Sequence, residues 1–245
     1  MAASDSRVSM ECVKNDTIEG AAEPVDGTCT EIIVVRHGET EWNALRKMQG
    51  QMDIDLNEVG RQQAVTVAHR LSRETNISCI YSSDLKRAFE TAETIASRCG
   101  GLEVVTDKDL RERHIGDLQG LTFREAPMVN PIAFEALKSP ENDQEIPGGG
   151  ESRDQVYKRC TSSLQRIAEK HRGARVVAVT HGAVIEMLYK RAIPGGRAEG
   201  IWNTSISIFQ LFEGDKWSIK LWNDKSHLRE TEYLESASGG GDASC

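Results

Sequence analysis

Hydrophobic positions along the chain switch between two spacings. Ile32-Ile33-Val34-Val35 is an unbroken apolar run, as is Val176-Val177-Ala178-Val179. Such runs, bounded by charge, predict strands buried on both faces. Ala64, Val67, Ala68 and Leu71 recur at helical spacing behind an Asn57 cap. Ser78-Cys79-Ile80-Tyr81 predicts a short strand. Leu85, Ala88, Phe89, Ala92, Ile95 and Ala96 predict the buried face of the next helix, with Ser83 or Asp84 as its cap. Val104-Val105 predicts a further strand. Residues 121–150 carry Pro127, Pro131, Pro140, Pro147 and Gly148-Gly149-Gly150, an irregular insertion expected to act as a lid or substrate loop. Ser152 and Gln155 form a capping box that opens a helix with Val156, Cys160, Leu164, Ile167 and Ala168 inward. Residues 205–212 and 217–222 alternate as a hairpin around Glu213-Gly214-Asp215. Strands alternating with helices predict a three-layer α/β/α sandwich around a mostly parallel sheet, one domain spanning residues 31–235.

The flanks change this picture only at the edges. Residues 1–30 hold six acids and two bases with almost no apolar periodicity, and are expected to be a disordered extension. The segment lacks the apolar core of a secretory signal and the arginines of a transit peptide, so the expected location is the cytoplasm. Residues 236–245 are rich in Gly and Ser and read as a disordered tail. No apolar run is long enough to span a membrane. The formal charge of −8 argues against nucleic acid as a partner. Six cysteines are scattered without zinc spacing: Cys79 and Cys160 read as core thiols of a reducing compartment, and Cys12 and Cys245 as free thiols in the tails.

Two of the apolar runs end alike, in Arg36-His37-Gly38 and in Thr180-His181-Gly182. Open α/β sheets bind ligands at the carboxyl ends of their strands. Arginine suits phosphoryl oxygens and histidine suits nucleophilic attack on phosphorus. A third strand leads into a helix with Arg87 in its first turn. A cation there opposes the helix dipole at a cost of roughly 0.3–1 kcal/mol, which a bound anion reverses. By itself Arg87 reads as a surface residue that points to solvent or pairs with Glu90 or Glu93. The loop Leu110–Gly120, which carries Glu112, Arg113, His114 and Gly116, reads by composition as a solvated connection.

Taken in order, Arg36-His37-Gly38-Glu39-Thr40 with Trp42-Asn43, Tyr81-Ser82-Ser83 with Leu85, Arg87, Ala88, Thr91 and Ala92, Glu112-Arg113 with Gly116, and Thr180-His181-Gly182 resemble the histidine phosphatase superfamily. The branch is the one holding cofactor-dependent phosphoglycerate mutases and related phosphatases, and the resemblance covers about residues 31–212. It implies a phosphoglycerate mutase-like fold and a phosphohistidine on His37. Arg36, Arg87, His181 and Asn43 would hold the phosphate, with help from the Gly182 backbone. Glu112 would protonate the leaving group and later activate water, and Glu39 would orient its neighbours. The chemistry asks for a neutral His37, which nearby cations favour, an imidazolium at His181, and a protonated Glu112. No metal and no cofactor are implied. His114 is a candidate pocket residue, whereas His69, His171 and His227 read as surface or capping residues.

The resemblance separates two activities. The mutases carry a Trp-Arg-Arg element after the acid loop, and here only Arg124 and Lys138 are basic in residues 122–138. Gln49-Gly50 stands where the phosphatases have the same pair and joins the candidate substrate shell with Arg113, which could meet a carboxylate. The expected function is metal-independent hydrolysis of a small phosphomonoester such as phosphoserine or a sugar or sugar-acid phosphate. A cofactor-dependent mutase and a non-catalytic binder of phosphorylated ligands are the alternatives. The oligomeric state is not legible; the insertion could equally cover a dimer contact.

Overall fold

A computed structural model describes residues 29–228. The expectations for the N-terminal extension and the C-terminal tail, with Cys12 and Cys245, lie outside the described residues, apart from Cys29 and Thr30, which are buried in the first strand.

The first strand, β1 (Cys29–Arg36), is buried along its whole length. It lies parallel to β4 (Arg175–Thr180), which runs beside β2 (Ile77–Ser82), which pairs in turn with β3 (Val104–Thr106). On the other side of β1, the hairpin β5 (Ile206–Phe212) and β6 (Lys216–Asp224) adds two antiparallel strands. The order is β3-β2-β4-β1-β5-β6, the mostly parallel sheet that the pattern predicts.

Helices cover both faces because alternate residues of each strand point to opposite sides. Ile33, Val35, Val177 and Val179 pack against α2 (Glu58–Leu71) and α3 (Lys86–Arg98). Ile32, Val34, Val176 and Ala178 pack against α6 (Arg153–Lys170) and α7 (Gly182–Ala192). Two predicted caps are present: Asn57 accepts from the Gly60 N–H, and Ser152 and Gln155 close a reciprocal capping box on α6. The cap expected for α3 is different. Its N-cap is Leu85, and the Lys86 N–H is satisfied by Asp53, 33 residues upstream. Asp84 instead holds Arg111 through two hydrogen bonds of 2.6 Å.

The expected irregular insertion carries two short helices, α4 (Ala126–Val129) and α5 (Pro131–Lys138), after the small α1 (Glu41–Ala44) near the start of the domain. Prolines sit where helices tolerate them, in the first turn. Ala133, Phe134, Leu137 and Ile146 close over Met48, Ile115 and Leu118 as a separate apolar cluster. His227, expected at a surface or capping position, is 7% exposed. Burial lowers its pKa to about 4. His69 is exposed on α2, and His171 ends α6 with Nε2 2.9 Å from the Tyr81 hydroxyl.

The loop after β1 is fixed by contact between two glycines. A Cβ on Gly38 would lie 2.4 Å from the Gly60 carbonyl oxygen, and one on Gly60 would lie 2.0 Å from the Glu39 carbonyl oxygen. Gly60→Ala is therefore expected to cost about 1–3 kcal/mol of stability through overpacking. That corresponds to roughly 2–4 °C in melting temperature for each kcal/mol. Thermal unfolding of the variant checks this, and an unchanged midpoint would show that α2 does not set the loop.

Candidate active site

His37 follows directly on β1, and its position is over-determined. Its N–H donates to Thr180 O at 3.0 Å, and its carbonyl accepts from Asn203 Nδ2 at 2.9 Å. The next two amides are also held: Gly38 N–H by Thr91 Oγ1 of α3 and Glu39 N–H by Gln63 Oε1 of α2. His37 Nδ1 lies 2.6 Å from the Gly38 carbonyl oxygen. A carbonyl only accepts, so Nδ1 carries the hydrogen and Nε2 keeps its lone pair. Burial, then Arg87 and Arg36, depress the His37 pKa well below the ordinary histidine value. The ring is therefore neutral at neutral pH. The cations act as the sequence suggests, but dehydration is the larger cause.

Arg36 and Arg87 are 2% and 0% exposed. Arg36 donates to the Ile201 carbonyl, and Arg87 donates to the Gly50 and Met52 carbonyls at 2.8 Å each. Among the described residues neither Nε has a partner. Burial lowers both pKa values to about 10, which leaves both protonated at neutral pH. The surface reading of Arg87 is excluded, and Glu90 pairs with Arg61 instead.

Glu112 accepts from the Arg113 N–H at 2.8 Å and from the Ala183 N–H, at the start of α7, at 3.2 Å. Burial raises its pKa, outweighing the two amides and the two arginines, which pull it down. His181 caps α7. Its ring centroid is 5.0 Å from that of His37, and Nε2 is 2.9 Å from Ser83 Oγ. Burial, then Arg87 and His37, hold it well below the ordinary value, so it is neutral rather than the expected imidazolium. The positive charge comes from the arginines.

Arg36, His37, Asn43, Gln49, Gly50, Arg87, Glu112 and Arg113 line a single pocket. Asn43 Oδ1 is engaged by Thr40, and Gln49 Oε1 is buried without a partner. Gly50 has a φ of +52°, and a Cβ there would meet the Gln119 side chain. His181 and Gly182 are not in the lining; His181 meets the site through the His37 ring. His114 is also outside it, its Nδ1 accepting from the Gly116 N–H. Glu39 stands off the pocket and binds Asn57 Nδ2 at 2.8 Å. Lys47, Ile115 and Ala183 join the lining without having been singled out from sequence. Among the described residues no three His, Cys, Asp or Glu side chains are grouped to hold a metal ion, and no helix is long and apolar enough to cross a membrane.

The acid loop has a support that the sequence does not reveal. Arg159 of α6 donates to the carbonyls of Asp109, Arg111 and Glu112 at 2.8, 2.6 and 3.0 Å. It also forms a two-point pair with Glu151, at 2.7 and 3.0 Å. Glu151 Oε2 in turn accepts from the His114 N–H at 2.8 Å. One arginine thus fixes the backbone on which Glu112 is mounted.

Comparison with known proteins adds to this geometry. The chain is 58% identical over 223 residues to phosphoglycerate mutase-like protein 4 of Arabidopsis thaliana, covering 91% of this chain and 97% of the relative. It is 47% identical over 216 residues to the metal-independent phosphoserine phosphatase of the same plant, covering 88% and 90%. A solved mycobacterial glucosyl-3-phosphoglycerate phosphatase complexed with VO3 superposes with a TM-score of 0.70 at 34% identity, over 80% of this chain and 99% of that one. Residues 32–225 match the model of the histidine phosphatase superfamily, branch 1, and the chain belongs to that family.

Proposed function

We propose that the chain is a metal-independent phosphomonoester hydrolase that works through a phosphohistidine on His37. The observation that carries this reading is a neutral, tautomer-fixed imidazole buried beside two cationic arginines with uncommitted donors. That arrangement suits a dianionic phosphoryl group and little else. In the first step His37 Nε2 attacks phosphorus and the bond to the ester oxygen breaks. Glu112 gives its proton to the departing alkoxide. Arg36 and Arg87, with Asn43, hold the charge on the equatorial oxygens. In the second step the now ionised Glu112 takes a proton from water as its oxygen attacks the phosphohistidine. Phosphate leaves, and both side chains return to their starting states.

His181 supports this cycle as a neutral packing partner of His37 and as a donor or acceptor with Ser83. Gln49, Gly50 and Arg113 belong to the substrate shell, and Gly182 begins the helix whose Ala183 N–H steadies Glu112. The names of the relatives point to small phosphorylated metabolites, phosphoserine or glucosyl-3-phosphoglycerate, as substrate class. For the mutase alternative, Arg124 is exposed and does not line the pocket. Cys160 is fully buried and pushed up by burial to about 12, an inert core thiol.

Phosphate release from a panel of phosphomonoesters should persist in EDTA and vanish in His37→Ala; release retained in the variant would overturn the reading. Activity requires a proton on Glu112 and none on His37 Nε2. Rate should therefore fall at high pH, as the raised Glu112 pKa is passed, and at low pH, as His37 becomes protonated. Glu112→Gln should lower kcat on alkyl phosphates by about 10²–10⁴-fold and far less on nitrophenyl phosphate, whose leaving group needs no proton.

Arg159→Met should misplace the acid and lower kcat on alkyl esters on the order of 10²-fold. KM should move little, nitrophenyl phosphate should be largely spared, and Arg159→Lys should recover part of the loss. Equal losses on both ester types would assign Arg159 to folding alone.

A further inference from the structure

Between α7 and β5 the chain makes a buried turn, Ile201-Trp202-Asn203-Thr204-Ser205, that stays out of the pocket lining. It carries the pairing of β5 with β1 past Val35 and closes around the two residues that follow. The Arg36 N–H donates to the Ser205 carbonyl at 3.3 Å, and the Thr204 N–H donates to the Arg36 carbonyl at 3.0 Å. The Ile201 carbonyl accepts from the Arg36 guanidinium. The Asn203 side chain reaches one residue further. Its Nδ2 donates to the His37 carbonyl at 2.9 Å and lies 3.5 Å from Asn43 Oδ1. One amide group thus faces both the His37 backbone and a side chain that lines the pocket.

The turn is held in a costly form. Thr204 is β-branched and fully buried, yet its φ is +55°, in the left-handed region. Such a backbone persists only where its surroundings over-determine it, and it gathers at functional sites. Asn203 is fully buried as well. Among the described residues neither its Oδ1 nor Thr204 Oγ1 has a partner. A buried acceptor left without a donor is destabilising, so an apolar side chain would fill this space better. What the amide supplies in return is its pair of N–H groups. We infer that Asn203 is a positioning residue of the phosphoryl-transfer site, which fixes the His37 backbone, and through it the ring, in register with Arg36 and Asn43. The inference rests on the hydrolase reading, in which His37 Nε2 must meet phosphorus in line. Asn203 acts on the nucleophile, whereas Arg159 acts on the acid.

Single-turnover kinetics with the full chain in excess over substrate test this. At saturating protein the rate constant does not depend on what fraction of the chain is folded. Asn203→Ala should lower that constant about 10–100-fold through misplacement of the nucleophile. The loss should be equal on alkyl and nitrophenyl phosphates, because protonation of the leaving group is untouched. Asn203→Asp keeps the size of the side chain and removes both donors, so it should be slowed at least as much. An unchanged constant in Asn203→Ala, or a normal one in Asn203→Asp, would assign the residue to packing and overturn the inference. A loss confined to alkyl phosphates would place Asn203 with the acid and overturn it too. The ring nitrogen resonances of His37 in the isotopically labelled chain give a readout without turnover. The unsubstituted chain should show one tautomer, protonated at Nδ1, and Asn203→Ala a mixture; identical spectra would overturn the inference. If the unsubstituted chain transfers no phosphoryl group, the hydrolase reading fails, and the His37 spectra still decide whether Asn203 fixes the ring.

Discussion

The constraint on which the site depends is the burial of two arginines with no carboxylate hydrogen-bonded to either among the described residues. Taking guanidinium groups out of water costs several kcal/mol each, so they remain only where the surrounding fold over-determines them. Here the compensation comes from backbone carbonyls. Ile201 holds Arg36, and Gly50 and Met52 hold Arg87. The Gly50 carbonyl is presented by a residue at positive φ, with no room for a side chain beside Gln119. The carboxyl that acts on both guanidiniums is Glu112, and burial, which raises its pKa, keeps it from being a simple counter-ion. The pocket is therefore short of negative charge, which the phosphoryl dianion of the proposed function would supply.

That shortage is assembled by the sheet. Parallel pairing of β1 with β4 sets Arg36 beside Thr180, so His37 and His181 leave adjacent strands at one edge. The opposite end of the same strand pair is locked by a buried ion pair, Arg175 with Glu31, at 2.6 Å. A one-residue slip would break that pair and turn Val34 and Val35 to the wrong faces. The register that places the reactive imidazole is thus fixed at a distance by ordinary core packing and one buried charge pair.

Much of this was legible because it is local. Apolar runs ending in Arg-His-Gly, the Asn57 cap and the Ser152–Gln155 box are signals contained within a few residues. The acid loop is different. By composition 110–120 is a solvated connection, and only the family resemblance raised Glu112 above that reading. Its true support, Arg159, lies 47 positions away on a helix whose pattern reports only the apolar face. The Asp53 cap on α3 is hidden for the same reason, and so is the burial of His227. The insertion read as irregular because its prolines were counted as breakers, whereas Pro127 and Pro131 occupy first turns, where the missing N–H costs nothing. The imidazolium expected at His181 failed on a matter of degree. The chemistry wants positive charge there, but full burial beside Arg87 sets the protonation state first.

The two protonation states that hydrolysis needs are opposite in their relation to the arginines. Positive charge nearby favours neutral His37 but also favours ionised Glu112, which must start protonated. Cations alone would therefore improve the nucleophile and spoil the acid. Burial favours the neutral form of both. In this structure burial is the largest cause at both residues, so it lowers the His37 pKa and raises that of Glu112, the two directions that the proposed first step asks for. The apolar cluster of the insertion reaches the site at one residue: Ile115 belongs both to that cluster and to the wall of the pocket that Glu112 lines. The insertion is thus packed into the pocket wall as well as against its own helices.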